Sequence, residues 1–270
     1  DGPVRTVIEV MLCCAHSYAV MTYYLPKQGT AFELKARIFW NEKQRLLKLC
    51  ASPAGGIARY RGQTAYGVSE LAPDGREMAS GKWVMVDDGN QALTVINDSI
   101  HGSDAMDGEL RLSLLRSSGY CVHPIEDRPL VPEDRFLPRS EQGERIFRFE
   151  IQGGSLQDRL PQVEREAASF AEAPVAMSFF PSGGGTAPER LLETEGNVIL
   201  GALKAAEDGA GYIARLYHPQ QQAQRVQVRC PMWGHAASLM FAPYEVKTLR
   251  LGRQGIEETD AMEGLLGSGR

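Results

Sequence analysis

Phe32-Glu33-Leu34-Lys35-Ala36-Arg37-Ile38 is the stretch that decides the fold, because its apolar and charged side chains alternate with a period of two. Such alternation is typical of a β-strand that has one face in a core and the other in water. The same pattern recurs in Leu110-Arg111-Leu112-Ser113-Leu114 and in Phe147-Arg148-Phe149-Glu150-Ile151. The sequence therefore predicts antiparallel sheets, in which strands commonly have one solvated face.

Ten further segments have the composition of short strands: Val4–Leu12, Tyr18–Leu25, Leu46–Cys50, Trp83–Val86, Ala92–Ile96, Val198–Leu203, Tyr212–Tyr217, Arg225–Cys230, Leu239–Phe241 and Glu245–Leu251. Turn signals of the Asp-Gly type lie between them: Asp74-Gly75, Asp88-Gly89, Asp107-Gly108 and Asp208-Gly209. Many short strands separated by turns are typical of antiparallel sandwiches and not of βαβ units. We therefore expect an all-β protein.

One segment, residues 156–173, has the period of a helix. Leu160, Val163, Ala167 and Phe170 recur at helical spacing, with charged residues between them. After it, Ser182-Gly183-Gly184-Gly185-Thr186 reads as a flexible joint. We expect a large β-domain over residues 1–178, a small β-domain over 179–252 and a flexible tail over 253–270.

Composition and charge exclude several classes of protein. Lys and Arg total 29 against 34 Asp and Glu, and no basic stripe stands out, so nucleic-acid binding is not expected. Apolar runs are far shorter than the roughly 20 residues of a membrane-spanning helix. The five cysteines include the adjacent pair Cys13-Cys14 and indicate reduced thiols, so we expect a cytoplasmic protein. Asp1-Gly2-Pro3-Val4 lacks an initiator Met, which leads us to expect part of a longer gene product.

Motifs for catalysis or metal binding are missing from the sequence. The histidines are scattered without zinc spacing, and Cys121-Val122-His123 supplies only two of the three or four ligands that a site needs. No nucleophile motif of the G-x-S-x-G type occurs. The most unusual polar segment is Asn97–Asp104, which we expect to be a loop between two buried strands and a candidate for ligand binding.

Several segments together resemble a known family. They are Phe39-Trp40-Asn41-Glu42-Lys43 with the following Leu46-Leu47-Lys48-Leu49, Val95–Gly102, Leu110–Ser117, Gln142-Gly143-Glu144, Ala202–Gly209 and Pro243-Tyr244-Glu245-Val246. In order and spacing they resemble the carboxy-terminal half of family-38 glycoside hydrolases, the zinc-dependent α-mannosidases. The chain departs from the family pattern at Arg145, at His218 and in the long Pro124–Arg139 stretch.

The resemblance implies a large antiparallel supersandwich of the galactose mutarotase-like type, followed by a small β-sandwich. It also implies that the zinc ligands, the nucleophile and the acid/base lie in an amino-terminal barrel that this chain lacks. The chain is then expected to be a non-catalytic part of a bacterial enzyme, with no metal or cofactor of its own. Its partners would be that barrel, α-mannoside glycans and possible further copies of itself.

For the sugar site, the resemblance implies a few rim residues from the β-domain. We expect Arg116, at the end of the Leu110–Ser117 segment, to orient sugar hydroxyls or a carboxylate through its planar donors. The alternative is that Arg116 bonds the backbone carbonyls of its own loop. Asn97, Asp98 and His101 are further candidates for the rim.

Two other functions stay open at this point. A carbohydrate-binding module would use exposed aromatic side chains to stack on sugars, with Tyr60, Tyr66 and Trp233 as candidates. An aldose-epimerase-like enzyme on the same fold would use His101 or His123 as a base with a Glu partner.

Overall fold

The computed structural model describes residues 1–119, 139–177, 183–184 and 189–264. Within them the chain is all-β, as predicted, with one α-helix and one short 3-10 turn. It divides into two compact units. The large unit comprises Asp1–Thr64 and Val68–Glu172, and the small unit comprises Ala65–Gly67 and Ala173–Arg270.

The large unit contains two antiparallel sheets. The eight-stranded sheet has the order β1-β2-β3-β12-β9-β8-β5-β6, and the four-stranded sheet has the order β4-β11-β10-β7. The strands are β1 (Arg5–Cys14), β2 (Ser17–Pro26), β3 (Ala31–Trp40), β4 (Leu46–Ala51), β5 (Arg59–Thr64), β6 (Gly67–Leu71), β7 (Met78–Ala79), β8 (Trp83–Asp87), β9 (Gln91–Asn97), β10 (Gly102–Met106), β11 (Glu109–Arg116) and β12 (Gly143–Ser155).

The core of the large unit lies between these sheets. Leu34, Ala36 and Ile38 of β3 pack in one cluster with Leu110 and Leu112 of β11. These are the apolar positions of the alternating segments, so the period of two predicted which face of each strand is buried. The arrangement is a sandwich of two packed sheets.

The central strands β8 and β9 are buried on both faces. Val84 of β8 faces the sandwich core, whereas Trp83 packs with Val163 and Ala167 of helix α1 (Leu156–Ala171). The apolar stripe of the helix thus covers the outer face of the large sheet at β8 and β9. The helix begins after Ser155, whose hydroxyl accepts a hydrogen bond from the Asp158 N–H.

The polar segment 97–104 differs from the expected loop. Gly102–Asp104 belongs to β10, which pairs with both β7 and β11, so the connecting loop covers only residues 98–101. Ser103 and Asp104 can be buried in a strand because both have polar partners. The Asp107-Gly108 turn signal is correct: both residues have positive φ, at 53° and 79°, and they close the β10–β11 hairpin.

The small unit contains two further antiparallel sheets with the orders β13-β16-β17 and β14-β15-β18-β19. Their strands are β13 (Glu193–Glu195), β14 (Ile199–Ala205), β15 (Tyr212–Tyr217), β16 (Gln224–Cys230), β17 (His235–Phe241), β18 (Val246–Gly252) and β19 (Gly255–Thr259). Leu216, Val226, Phe241 and Leu249 are buried in their common core.

The tail expected over residues 253–270 differs in its first part. Gly255–Thr259 forms β19, which pairs with β18 from Thr248 to Gly252. Residues 265–270 and most of the joint at 182–186 lie outside the described residues. No helix in the described part of the chain is both long and apolar enough to cross a membrane.

Candidate functional site

Arg116 ends β11 with its side chain exposed to solvent. Its backbone N–H donates to the carboxylate of Glu141, and its carbonyl accepts a hydrogen bond of 2.7 Å from the Ser140 hydroxyl. Among the described residues, the guanidinium makes no hydrogen bond or ion pair with protein atoms. Most of the loop that follows β11, residues 120–138, lies outside the described residues, so the two roles predicted for Arg116 both stay predictions.

The backbone of β11 determines this exposure. The pairing of β11 with β4 shifts between Ser113 and Leu115, as it does at a β-bulge. The bulge interrupts the alternation of faces, so Leu114 and the adjacent Leu115 are both buried. Arg116 then points to solvent instead of sharing the face of Leu112.

A cleft of about 440 Å³ surrounds this end of β11. It is lined by Leu46, Glu77, Ser113, Leu114, Leu115, Arg116 and Glu141. The Ser113 hydroxyl donates to Glu77, which also accepts a 2.7 Å ion pair from Lys48. The cleft thus is lined by the guanidinium of Arg116, which has no partner among the described residues, and by the carboxylates of Glu77 and Glu141. Such a mixture of donors and acceptors suits hydroxyl groups.

Beneath the cleft, a buried carboxylate anchors two cations. Asp104 has a fully buried side chain and accepts hydrogen bonds from Lys48 and, at 2.6 Å, from Arg111. Burial by itself would lower the pKa of Lys48, but its hydrogen bonds to Asp104 and Glu77 raise that pKa above the ordinary value. Lys48 is therefore held charged in a network of hydrogen bonds with Asp104 and Glu77. The guanidinium of Arg116 is not part of that network.

The other three candidates for the rim lie outside this cleft. Asn97 is only 2% exposed, and its side-chain oxygen accepts from the backbone N–H groups of Ser99 (3.1 Å) and Ile100 (2.7 Å). Asn97 thus shapes the turn after β9 and is not presented to solvent. Asp98 and His101 are exposed on that turn. Their placement at a sugar rim stays a prediction.

Sequence reasoning missed Glu77, Ser113 and Glu141 as members of the Arg116 cleft. They come from three separate segments of the chain and carry no common motif. Within the Leu110–Ser117 segment, the sequence singled out Arg116 at its end but gave no reason to single out Ser113.

Of the residues proposed for epimerase chemistry, only His101 lies in the part of the chain that the structure describes. The Nδ1 of His101 lies 3.1 Å from the Ser80 carbonyl oxygen, and no carboxylate contacts the ring among the described residues. His123 and the Cys121-Val122-His123 pair lie outside the described residues. In the described ranges no three His, Cys, Asp or Glu side chains come close enough to hold a metal ion.

The aromatic candidates for sugar stacking have different environments. Tyr60 is buried, and its hydroxyl lies 2.6 Å from the Ser103 hydroxyl, so it offers no surface for stacking. Tyr66 is exposed. Trp233 is half-buried beside Tyr212, with their ring centroids 6.0 Å apart.

Comparison with known proteins gives matches for both units. Residues 1–128 match the family described as glycosyl hydrolases family 38 C-terminal domain, and residues 197–238 match its C-terminal beta sandwich domain. The chain is similar in structure to an alpha-mannosidase from Enterococcus faecalis V583, with a TM-score of 0.73 and 17% identity over 87% of this chain. It covers 29% of that protein.

A second solved structure, a protein in the glycosyl hydrolase family 38 from Enterococcus faecalis, matches with the same TM-score of 0.73 and 17% identity. The match covers 87% of this chain and 30% of that one. The chain therefore spans less than a third of the length of these two structures. No curated protein matches the chain.

Proposed function

Because this chain belongs to glycosyl hydrolase family 38 as a set of its carboxy-terminal domains, we propose that it is the non-catalytic carboxy-terminal portion of a zinc-dependent retaining α-mannosidase. In this role it supports the catalytic barrel and completes the rim of the sugar site. The family-38 α-mannosidase that it resembles has more than two thirds of its length beyond the matched region, which leaves room for a catalytic part.

The observation that carries this proposal is the surface of β1. This strand forms the edge of the eight-stranded sheet, and nine of its ten residues are exposed. Val7, Ile8, Val10, Met11 and Leu12 are each 39–66% exposed. A long apolar edge strand is a surface that proteins normally cover. The missing catalytic part is the partner that we assign to it.

The described residues do not fit a zinc site, since no suitable group of ligands comes together among them. We therefore assign zinc and the reacting carboxylates to the catalytic part, and no chemical step to this chain. In a retaining glycosidase, one carboxylate forms a covalent glycosyl intermediate and the other acts as acid and base. Arg116 would contribute by binding sugar hydroxyls at the edge of that site.

The first experiment tests the chain alone. Incubation with an aryl α-mannoside, with and without zinc, should give no turnover. Hydrolysis at a rate typical of a glycosidase would contradict the proposal, because the catalytic groups would then have to lie in these 270 residues.

The second experiment uses the complete reading frame that encodes the chain. It should hydrolyse the aryl α-mannoside, and Arg116→Ala should lower kcat/KM about tenfold or more, the value of a lost charged hydrogen bond. Arg76→Ala is the matched control, since Arg76 is exposed and forms its ion pair with the nearby Asp74, two residues earlier. Equal activity of both variants would remove Arg116 from the rim.

A third experiment tests whether the catalytic part covers β1. In the complete protein, Met11→Lys on β1 should lower the thermal midpoint of the catalytic part, because it would bury an unpaired charge. Met240→Lys on β17 of the small unit is the matched control, since that side chain is also exposed. Equal midpoints would show that β1 is not the docking surface.

A further inference from the structure

The small unit contains a cleft whose lining shares no residue with the Arg116 cleft. Its volume is about 630 Å³, within the usual range for ligand sites. The turn between β14 and β15, the turn between β18 and β19, and the residue Trp233 surround it. It is lined by Ala205, Gly209, Ala210, Gly211, Tyr212, Trp233, Arg250, Gly252, Arg253, Gln254, Gly255 and Glu257.

Two aromatic rings form one side of this cleft, which we call the Trp233 cleft. The rings of Trp233 and Tyr212 are inclined by 32° and both are only partly buried against the small core. Among the described residues, the indole N–H of Trp233 has no hydrogen-bond partner. The rings therefore present apolar surface together with a free donor.

The position of Trp233 is fixed by its backbone. It ends a 3-10 turn that begins at Pro231, and the following Gly234 is left-handed, with φ 70°, and donates its N–H to the Pro231 carbonyl. The next residue, His235, places its Nε2 2.9 Å from the Arg253 carbonyl oxygen, which ties this segment to the β18–β19 turn. The aromatic side and the opposite turn are thus held together before any ligand binds.

Backbone atoms without bulky side chains form the wall beside the rings. Gly211 has φ +124°, and a Cβ there would lie 2.4 Å from the Leu251 carbonyl oxygen. Only glycine fits at this point. The two lining residues before it are Gly209 and Ala210, so this part of the wall carries no bulky side chain beside the Tyr212 ring.

The polar groups of the Trp233 cleft balance in charge. Arg250 donates to Asp208 and, at 3.4 Å, to the Ala210 carbonyl, and it lies directly across from Glu257 in the β18–β19 pairing. Two cations, Arg250 and the exposed Arg253, and one carboxylate, Glu257, line the cleft. Asp208 lies outside the lining and supplies the second carboxylate through its ion pair with Arg250, so the site counted with that partner has no net charge. A site with both donors and acceptors and no net charge favours a neutral ligand rich in hydroxyls over an anion.

From this combination we propose that the Trp233 cleft binds a pyranose ring of a neutral carbohydrate. The apolar face of the sugar packs on Trp233 and Tyr212, and its hydroxyls bond to Arg250, Glu257 and Gln254. This inference goes beyond the proposed function, because it assigns a second carbohydrate site to the small unit. It does not depend on whether the chain supports a catalytic barrel.

Tryptophan fluorescence provides a direct test on the full chain. Of the three tryptophans, Trp40 and Trp83 are 4% and 0% exposed, so Trp233 is the one that a ligand can reach. Titration with methyl α-mannoside and with methyl α-glucoside should change the emission saturably, with a Kd on the order of 1 mM for at least one of them. No saturable change up to roughly 50 mM would overturn the proposal. Tighter binding of inorganic phosphate than of both sugars would also overturn it.

Variants locate the binding. Trp233→Ala should abolish it, but because Trp233 also packs on the core, the exposed Glu257 and Gln254 supply a second test. Glu257→Gln and Gln254→Ala should each weaken binding about threefold or more, the effect of one lost hydrogen bond. Glu195→Gln, an exposed carboxylate of β13, is the matched control and should not change the affinity.

A last variant separates this site from the other one. Arg116→Ala should leave the titration unchanged, because Arg116 belongs to the large unit. If Arg116→Ala removes the binding, or if Glu257→Gln and Gln254→Ala leave it intact, then the sugar binds elsewhere and the proposal is wrong. Failure of the α-mannosidase assays leaves this test unaffected.

Discussion

Replacing Arg159 by Met removes a cation that is buried between helix α1 and the large sheet. The Arg159 side chain is 2% exposed. Its Nη1 donates to Glu166 at 3.0 Å, and its Nη2 donates both to the second oxygen of Glu166 and, at 3.2 Å, to the Thr94 hydroxyl. Burial first, and then the charge of Glu166, raise the pKa of the nearby Glu150, whereas Arg159 lowers it. Arg159 is thus the cation that offsets two carboxylates.

The loss of stability expected for Arg159→Met depends on the Glu166 carboxylate, which stays without its partner. Breaking a buried ion pair by removing one partner costs about 3–5 kcal/mol. Because the Glu166 side chain is 27% exposed and keeps part of its hydration, we expect about 3 kcal/mol for Arg159→Met. Removing both charges in Arg159→Met/Glu166→Met should cost about 1 kcal/mol or less, since apolar replacements of whole pairs are often neutral. The Nε of Arg159 has no partner among the described atoms, which adds to the cost of the native pair.

Urea unfolding measures both values. In a Trp233→Phe background, the fluorescence arises only from Trp40 and Trp83, both in the large unit. Gln162→Met, on the exposed side of the same helix, is the control and should change the free energy of unfolding by less than about 0.5 kcal/mol. If the double variant is less stable than the single variant Arg159→Met, the argument from an uncompensated carboxylate is refuted.

Three further predictions concern stability. The pKa of Glu150 is raised above its ordinary 4.5, so the folded state loses stability as the pH rises from 4.5 through that higher value. Glu150→Gln should therefore raise the thermal midpoint at pH 7 and have no effect on it well below pH 4.5. Ser155→Ala removes the hydroxyl that accepts from the Asp158 N–H and donates to the Asp158 carboxylate, and it should cost about 1 kcal/mol in urea unfolding. Ser155→Thr keeps a hydroxyl that can make both hydrogen bonds and should restore most of that loss. Gly211→Ala, whose Cβ would meet the Leu251 carbonyl, should cost about 2 kcal/mol, seen as an earlier unfolding transition of the small unit by calorimetry. If the unfolding midpoint of any of these variants equals that of the unchanged protein, the contact assigned to that residue does not contribute to stability as argued.

The period-two pattern predicted the strands that have one apolar face. Tyr212–Tyr217 was predicted with the bounds that the structure has, and the helix over 156–173 ends only two residues earlier, at Ala171. These elements succeed because their burial depends on apolar side chains that alternate or recur along the chain. Local pattern and tertiary packing agree there.

Two of the strands that the sequence missed, β5 and β10, have polar residues at buried positions. Arg61 of β5 is buried because it pairs with Asp87 of β8, and Asp104 of β10 is buried because it binds Lys48 and Arg111. Each pairing joins residues from different strands, so no short window of sequence contains it. The sequence therefore placed Asp104 in a polar loop, where an unpaired carboxylate would be expected.

The same reasoning explains why the sequence could identify Arg116 but not its surroundings. With strict alternation after Leu110, Leu112 and Leu114, the side chain of residue 116 would point into the core. The shift in pairing between Ser113 and Leu115 reverses that direction, and a bulge depends on the facing strand β4 as much as on β11. The exposure of this guanidinium is therefore a property of the paired sheets. A variant that restores regular pairing at this bulge should turn Arg116 inward, and its effect on kcat/KM of the complete protein should then equal the effect expected for Arg116→Ala.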